Sequence, residues 1–355
     1  MVTGSAPKKF SLPYLSACVI VRDEDEYIEE WIAFHLAVGI ERFLVIDNSD
    51  SSSLSTILSA YVRSGVVELR KFSSRFKPQI GAYNRALEFL RGKSKWVAFI
   101  DVDEFLFPSQ EDNLAEVLRQ FEEFPGLAVN WVCFGNNGHR KKPTGWVIEN
   151  FTSRGPLEHV VEIPHLRMNS ELPTAEAYRP MNSHVKCIVD PSRAQFFRTA
   201  HHLSFRDDMA AATENFDPIE GPFSEYVSIE KVRINHYWSK SEEELKDKVR
   251  KGRVSQIRKG ETSPYSWELA SRRMLAATGC QDTTALRFLE NAKANYAWAQ
   301  ANRVSNPPKV RRLRYSVLGG FKYLLRTTLI GLRKNQRKIS ALTRRWAVKR
   351  LEIPS

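Results

Sequence analysis

The stretch WVAFIDVDEFL, residues 96–106, decides the fold of this chain. Its first half, Trp96 to Ile100, is a continuous apolar run, which is typical of a strand covered on both faces of a parallel sheet. Two carboxylates, Asp101 and Asp103, follow at the carboxyl end, and side chains alternate along extended backbone, so we predict that both point the same way. Such charges repel unless a cation lies between them, and a hard divalent cation suits oxygen ligands. A solvated turn after the strand is the alternative interpretation.

Apolar runs and helical patterns alternate through the first 135 residues. The apolar runs predict strands at 15–21, 42–47, 66–72, 96–101 and 127–134. Apolar residues at helical spacing predict helices at 26–38, 53–64, 79–90 and around 114–124. This rhythm favours an α/β fold in which a mostly parallel sheet has helices on both faces.

Three regions follow from the composition along the chain. Residues 135–240 lose the strand–helix rhythm, and we interpret them as the loop-rich, mixed-sheet part of one domain that spans 12–240. Residues 241–302 are predicted to be a helical extension. After the break at Asn306-Pro307-Pro308, the chain continues as a basic amphipathic segment, so we assign 303–355 to a separate tail.

The overall composition excludes several classes of protein. The 355 residues are 42% hydrophobic and 26% charged, which are globular proportions and do not fit a collagen, a coiled coil or a wholly disordered chain. Only four cysteines are present and none forms a CxxC pair, so neither a zinc knuckle nor a redox motif is predicted. A reducing compartment is the simplest setting for them.

The positive charge is concentrated at one end. The chain has a formal net charge of +12, but residues 303–355 hold fifteen Lys and Arg and one acid, a net +14, which leaves −2 for residues 1–302. We therefore do not predict nucleic-acid binding by the whole protein. Basic amphipathic segments favour anionic membrane surfaces, so we predict that the tail docks on one; a frayed, soluble tail is the alternative.

Membrane spans are not predicted. No run of about 18 apolar residues without a charge is present, and the apolar run at 15–21 is too short to cross a bilayer. We therefore expect a cytoplasmic protein that is peripheral on the inner face of a membrane.

Charged and polar residues collect where the predicted strands end. Arg22-Asp23-Glu24 follows the first strand, Asp47-Asn48-Ser49-Asp50 follows the second, and Asp101 to Glu104 follows the fourth. Ligands bind at the carboxyl ends of the strands in open α/β sheets. No glycine-rich phosphate loop follows the first strand, so a divalent cation held by carboxylates is the predicted means of binding nucleotide phosphates.

Ordered motifs along residues 14–253 carry a family resemblance. They are ACVIVRDEDEYIEEWIAFHLAVGIERFLVIDN (17–48), QIGAYNRAL (79–87), the stretch 96–106, NWVCFGNNGH (130–139), GWVIENF (145–151), HVKCIV (184–189), HH (201–202), INHYWSKSEEE (234–244) and KVRKGR (248–253). The set resembles the glycosyltransferases of the GT-A fold, and more specifically the family-92 and family-2-like group, whose domain was formerly called domain of unknown function 23.

The resemblance implies a role for each matched residue. Asp47 and Asn48 would contact the nucleoside of a sugar nucleotide, with Arg22 and Asp23 lining the same pocket. Asp101 and Asp103 would hold Mn²⁺ or Mg²⁺ together with the diphosphate, and His236 would complete the metal shell. Three cations would neutralise the leaving diphosphate: Lys240, Lys248 and Arg253.

Asp103 and Glu149 are the residues predicted to act in catalysis. An inverting enzyme of this kind needs a carboxylate that accepts the proton of the acceptor hydroxyl. Glu149, Glu158 and Glu225 are candidates, and we favour Glu149 because it lies in a matched motif. The chain reads Glu149-Asn150-Phe151 where relatives commonly have an arginine in the middle, and a retaining mechanism stays open.

The resemblance implies a metal-dependent glycosyltransferase. It would transfer a hexose, galactose by family habit, from a UDP-sugar to a glycan or a lipid-linked saccharide. A sugar nucleotidyltransferase is one alternative, although that class usually carries a glycine-rich, basic segment where this chain has RDEDEY (22–27). A non-catalytic carbohydrate or membrane adaptor that kept the fold is the other. We expect His35 to be a packed core histidine.

Overall fold

The structure is a computed structural model that describes residues 12–50, 53–73, 78–162, 178–251, 267–307 and 309–314. The described residues up to Leu313 belong to one compact unit, and the chain from Arg314 onward is a separate unit. Most of the predicted basic tail therefore lies outside the described residues. None of the described helices is both long and apolar enough to cross a membrane.

The helices have the following bounds. They are α1 Ile28–Ala37, α2 Leu54–Ile57, α3 Ser59–Ser64, α4 Pro78–Leu90, α5 Leu114–Arg119, α6 Val147–Asn150, α7 Glu242–Lys251, α8 Trp267–Ala276 and α9 Leu289–Ala301. Short 3-10 helices lie at Met181–Ser183 and Thr284–Phe288.

The strands are short and most join one sheet. They are β1 Leu15–Val21, β2 Arg42–Asp47, β3 Val67–Lys71, β4 Trp96–Phe99, β5 Glu104–Pro108, β6 Gly126–Cys133, β7 Ser153–Arg154, β8 Val160–Glu162, β9 Tyr178–Pro180, β10 Val185–Val189, β11 Ala194–Thr199, β12 His202–Phe205, β13 Ala211–Ala212, β14 Pro218–Ile219, β15 Val232–His236, β16 Cys280–Gln281 and β17 Arg311–Arg312. The main sheet has the order β14-β13-β6-β10-β4-β1-β2-β3-β17, and β15 pairs with β5 and β6.

The sheet is mostly parallel, as predicted. Strands β4, β1, β2, β3 and β17 run parallel to one another, whereas β10 is antiparallel to both of its neighbours, β4 and β6. Ala17 and Val19 pack in the apolar core that contains α1, while Cys18 between them packs in the core that contains α4. Because side chains alternate along a strand, helices cover both faces of the sheet.

The prediction of extended backbone through Asp103 is wrong. Strand β4 ends at Phe99, the next strand begins at Glu104, and Asp101 to Asp103 form a turn in which the Glu104 N–H donates to the Asp101 carbonyl at 3.1 Å. A strand at residues 104–108 is not predicted from the sequence, but the structure forms β5 there. Its partner β15 lies more than a hundred residues further along the chain, so nothing near residue 104 indicates the pairing.

The helices after residue 241 pack on the same unit. Helix α9 lies against α1, where Asn295 Nδ2 donates to the Ala33 carbonyl at 3.1 Å. Strand β16 pairs with β7, and Gly155 comes so close to the end of α8 that an added Cβ would lie 2.3 Å from the Ala276 carbonyl oxygen. This contact requires a residue without a Cβ at position 155.

Candidate active site

The turn at residues 101–103 is fixed by a buried tryptophan. Trp31 Nε1 on α1 donates to the carbonyl oxygens of Asp101 at 3.0 Å and Glu104 at 2.8 Å. Trp31 itself is anchored in the core, where its neighbour His35 bonds to its carbonyl at 2.7 Å and accepts the Leu106 N–H at 3.0 Å. His35 is fully buried, which confirms that it is a core histidine.

Both carboxylate oxygens of Asp101 have protein partners. Oδ1 accepts from Gln79 Nε2 at 2.7 Å and from the Tyr83 hydroxyl at 2.9 Å, both on α4. Oδ2 accepts from Lys186 Nζ on β10 at 2.8 Å. Asp101 is therefore held as a hydrogen-bond acceptor by three side chains from two separate elements.

Lys186 and Glu104 form a buried ion pair beneath Asp101. The two side chains are fully buried, with Lys186 Nζ 3.4 Å from Glu104 Oε2, and that same oxygen accepts the Asp101 N–H at 2.9 Å. Burial raises the pKa of Glu104 to about 8, although Lys186 opposes the shift. Burial by itself would lower the pKa of Lys186, but Asp101 and Glu104 outweigh it and raise that pKa, so the lysine keeps its charge.

Asp103 has a different set of partners. Its Oδ2 accepts from Lys248 Nζ on α7 at 2.6 Å, and its Oδ1 lies 3.6 Å from His236 Nε2 on β15. Burial by itself would raise the pKa of Asp103, but Lys248 and His236 hold it well below its usual range. Burial lowers the pKa of His236, which favours the neutral imidazole that ligates metals.

Two further charged residues border Asp103. Burial, reinforced by the charge of Asp103, raises the pKa of Glu24 to about 7, while Lys240 and Lys248 oppose that shift. Lys240 is buried in left-handed backbone, with φ of 48°, and its Nζ lies 4.1 Å from the centre of the Tyr27 ring. The cluster thus joins two acids, two lysines and a histidine at the carboxyl edge of the sheet.

The ends of β1 and β2 meet beside this cluster. The Asp23 N–H donates to Ser49 Oγ at 3.1 Å. Asp47 is buried and accepts from the Ser49 N–H at 2.9 Å and from Lys71 Nζ at 3.0 Å. The neighbouring Asn48 is also buried, and Arg22 Nε lies 3.8 Å from Asp23. The predicted nucleoside-side residues therefore share one edge of the sheet.

Glu149 is not brought to Asp103 by any contact among the described residues. It lies on α6 and pairs with Lys293 of α9 at 2.9 Å. Glu158 and Glu225 are exposed. The assignment of the catalytic base stays a prediction, and Arg253 lies outside the described residues.

The side chains of Asp103 and His236 suit a divalent cation that is also bound by a diphosphate. Within the described ranges, no group of three or more His, Cys, Asp or Glu side chains is arranged to hold a metal ion. Asp103 and His236 nevertheless offer a carboxylate and an imidazole 3.6 Å apart. Mg²⁺ and similar ions are commonly held by one or two carboxylates plus substrate phosphates, which is the arrangement these two residues suit.

Several polar residues of this site are not predicted from the sequence. Gln79 and Tyr83 lie within the matched motif QIGAYNRAL, four residues apart, which places them on one face of a helix. Lys186 interrupts the otherwise apolar run VKCIV. A charged residue inside such a run is a signal of a buried ion pair, because an unpaired buried charge is strongly unfavourable.

Comparison with known proteins identifies the family. The model of glycosyltransferase family 92 matches residues 14–262, well over half of the chain. The chain therefore belongs to glycosyltransferase family 92. The five clustered residues, Glu24, Asp103, His236, Lys240 and Lys248, fall inside the matched range.

Individual relatives are distant. A glycosyltransferase family 92 protein of Oryza sativa subsp. japonica is 25% identical over 250 residues, which cover 68% of this chain and 36% of that protein. The galactan beta-1,4-galactosyltransferase GALS3 of Arabidopsis thaliana is 24% identical over 162 residues, 41% of this chain and 32% of that protein. The chain spans about a third of the length of the curated relatives it matches. The crystal structure of S. aureus TarS 1-349 aligns with a TM-score of 0.31 and 15% identity over 50% of this chain and 47% of that chain.

Proposed function

We propose that this chain is a GT-A glycosyltransferase that transfers a hexose from a UDP-sugar to a glycan or a lipid-linked saccharide. The observation that carries the proposal is the cluster of Asp103, His236 and Lys248 at the carboxyl edge of the sheet, within the residues that the family 92 model matches. Carboxylate, imidazole and ammonium groups together suit a diphosphate with its cation. The relatives named as galactan galactosyltransferases make galactose the first donor sugar to test.

The side chains of the cluster would bind and polarise the donor. Lys248 is half exposed, and its Nζ donates to Asp103 and to the Trp238 carbonyl at 2.9 Å, so the flexible side chain can move from Asp103 to a phosphate oxygen. Lys240 adds a second positive charge beside Asp103. Both lysines would stabilise the negative charge that develops on the departing UDP, which is where electrostatic stabilisation lowers the barrier.

Mn²⁺ or Mg²⁺ would be held by Asp103 and His236. When bound, the cation would supply Lewis-acid neutralisation of the diphosphate. Asp47 and Asn48, with Arg22 and Asp23 beside them, are proposed to contact the nucleoside. Glu149 remains the proposed base for an inverting reaction, and its test is whether Glu149→Gln stops transfer while leaving UDP binding intact.

The test is release of nucleotide from a panel of UDP-, GDP- and dTDP-sugars in the presence of Mn²⁺. Slow donor hydrolysis needs no known acceptor. We expect one UDP-hexose to release UDP, and a chelator to abolish the release. If no donor in the panel released nucleotide and no nucleotide bound in a metal-dependent way, the proposal of an enzyme would be refuted. The alternative of a non-catalytic adaptor would then remain.

The basic tail is proposed to dock on the anionic inner face of a membrane. Strand β17 runs parallel to β3, and the Leu313 N–H donates to the Lys71 carbonyl at 2.9 Å. The chain therefore leaves this unit at the same edge as the carboxyl ends of β1 and β2. Ten Lys and Arg and one acid follow Arg314. A tail that docks on an anionic surface would bring the enzyme to a membrane that carries a lipid-linked acceptor.

Truncation after Arg314 tests the docking. We expect cosedimentation with phosphatidylserine-containing vesicles to weaken at least about 100-fold, because each cation near such a surface contributes about 1 kcal/mol and three lost contacts suffice. The truncation keeps β17, so donor hydrolysis in solution should not change. Pure phosphatidylcholine vesicles are the control. Equal binding of both proteins to the anionic vesicles would rule out the tail as the docking element.

A further inference from the structure

A row of aromatic rings leads away from Asp103 and His236. The centre of the Trp131 ring on β6 lies 4.4 Å from that of the His236 ring and 4.5 Å from that of the His184 ring. The centre of the Phe223 ring lies 4.3 Å from that of the His184 ring. Because His236 Nε2 is 3.6 Å from Asp103, the row begins at the residues proposed to hold the cation. We call Trp131, His184 and Phe223 the ring strip.

The ring strip reaches the surface although most of the backbone that carries it is buried. All three of its side chains are partly exposed. The residues directly before and after Trp131 in the chain are buried, and so are those directly before and after His184. The strip is therefore a solvent-facing surface whose rings are held in place by the strands beneath them. Rings that are already held in place lose little conformational entropy when a ligand binds.

The loop that carries the last ring of the strip is tied down on both sides. The Ser224 N–H donates to the Ser183 carbonyl at 2.8 Å, and Ser224 Oγ accepts from Asn130 Nδ2 at 2.7 Å. Further along the loop, the Ser228 N–H donates to Asn130 Oδ1 at 3.3 Å. Between these two anchors lies Tyr226, which is 73% exposed. The loop thus presents a second aromatic surface beside the ring strip.

The charges around this loop disfavour an anionic ligand. Residues 207–230 contain seven Asp and Glu and no Lys or Arg, and Glu225 beside Tyr226 is exposed. Such a segment repels a ligand of the same charge. Aromatic rings suit the apolar C–H faces of an uncharged sugar ring, and carboxylates accept hydrogen bonds from the hydroxyl groups at its rim. The surface therefore suits a neutral saccharide.

We propose that the ring strip and Tyr226 bind the uncharged saccharide that accepts the transferred hexose. The inference rests on the proposed function and adds the place and the chemistry of the acceptor. A sugar against Trp131 would lie beside His236, and further sugar units would follow the strip towards Phe223. In the transfer, the acceptor hydroxyl oxygen bonds to the anomeric carbon of the donor, and the bond from that carbon to the UDP oxygen breaks. UDP leaves as the anion, and the hydroxyl proton goes to the catalytic base.

The test is saccharide binding by the full chain, first on an array of neutral and anionic polysaccharide fragments and then by calorimetry with the best neutral fragment. We expect the wild type to bind neutral fragments in preference to anionic ones. A tetrasaccharide should bind at least about tenfold more tightly than the corresponding monosaccharide, because the added sugars meet further rings of the strip.

Two positions of the loop test the role of the rings. Phe223→Leu removes a ring but keeps an apolar side chain, and it should weaken binding of the tetrasaccharide at least about fivefold. Phe223→Tyr keeps the ring and should bind like the wild type. Tyr226→Ala changes an exposed side chain, so its fold is safe, and it should also weaken binding at least about fivefold.

Trp298→Ala is the matched control, because the Trp298 ring is 44% exposed on α9 and does not belong to the ring strip. It should bind the tetrasaccharide like the wild type. The acceptor strip would be overturned if the wild type bound no neutral fragment, or if Phe223→Leu and Tyr226→Ala both bound as tightly as the wild type. If the wild type bound neutral fragments but showed no Mn²⁺-dependent binding of UDP, the proposed function would fail and the strip would remain a saccharide site.

Discussion

Asp103→Asn is expected to lower Mn²⁺-dependent release of UDP by about 10²–10³-fold, the loss typical of removing one electrostatic group from an active site. The substitution keeps the shape of the side chain but removes the charge that pairs with Lys248 at 2.6 Å and faces His236 at 3.6 Å. Mn²⁺-dependent binding of UDP, measured by calorimetry, should weaken in parallel.

Asp112→Asn is the matched control, because the Asp112 side chain is 98% exposed and its nearest cation, Arg287, is 3.6 Å away. It should leave UDP release and UDP binding unchanged. If Asp103→Asn retained activity within about threefold of the wild type, a difference of less than 1 kcal/mol, the cluster around Asp103 would not be the catalytic centre.

Asp282→Ala is expected to lower the free energy of unfolding by about 3–5 kcal/mol, the range for removing one partner of a buried ion pair. Asp282 Oδ2 accepts from Arg154 Nε at 2.7 Å and from Arg233 Nη2 at 2.8 Å. Arg233 is only 4% exposed, so the substitution leaves its charge buried without a carboxylate partner, beside Asn235 and the Phe107 ring. Urea denaturation at pH 7 measures the loss.

Two controls accompany this measurement. Asp112→Ala removes an exposed carboxylate and should change stability by no more than about 0.5 kcal/mol. The double substitution Asp282→Leu with Arg233→Met removes the two most buried charges, leaves only the partly exposed Arg154, and should recover part of the loss. If Asp282→Ala lowered the free energy of unfolding no more than Asp112→Ala does, the ion pairs of Asp282 with Arg154 and Arg233 would not stabilise the fold.

The ion pairs of Asp282 with Arg154 and Arg233 also make the free energy of unfolding depend on pH. Burial by itself would raise the pKa of Asp282, but Arg233 and Arg154 lower it to about 2. Because the pKa of the folded state lies below the unfolded value, about 3.9, the stabilisation is fully present above the unfolded value and is lost as the pH falls towards 2. The wild type should thus lose about 2–3 kcal/mol relative to Asp282→Ala between pH 5 and pH 2.

The sequence predicts the parallel half of the sheet well because its signal is local. Strands β1, β2, β3, β4 and β6 coincide with apolar runs, and the intervening helices follow from apolar spacing. Strands β5 and β15 are not predicted, because each is stabilised by pairing with the other across a long stretch of chain. The predicted helix at 53–64 is interrupted at Leu58, between α2 and α3. Nothing local distinguishes such an interruption from a continuous helix.

The sequence predicts individual residues of the site but not which of them pair with one another. Asp103 and His236 were singled out, and the structure brings them within 3.6 Å. The expectation that Asp101 and Asp103 aim at one point failed, because the backbone turns between β4 and β5. Each aspartate then meets its own lysine, Lys186 or Lys248. Which distant lysine faces which carboxylate is set by where β10 and α7 pack, and that packing is not encoded near either aspartate.

The insertion of β10 between β4 and β6 has a consequence for biosynthesis. When β6 has left the ribosome, its sheet partner β10 is still about 50 residues away and β15 about 100 residues away. At about 5–20 residues per second, the nascent chain exposes open apolar edges on β4 and β6 for several seconds before β10 emerges, and for up to about 20 s before β15 completes the layer. Unpaired edges of this kind aggregate. The nascent chain is therefore open to edge-to-edge association until β10 has emerged and paired with both strands.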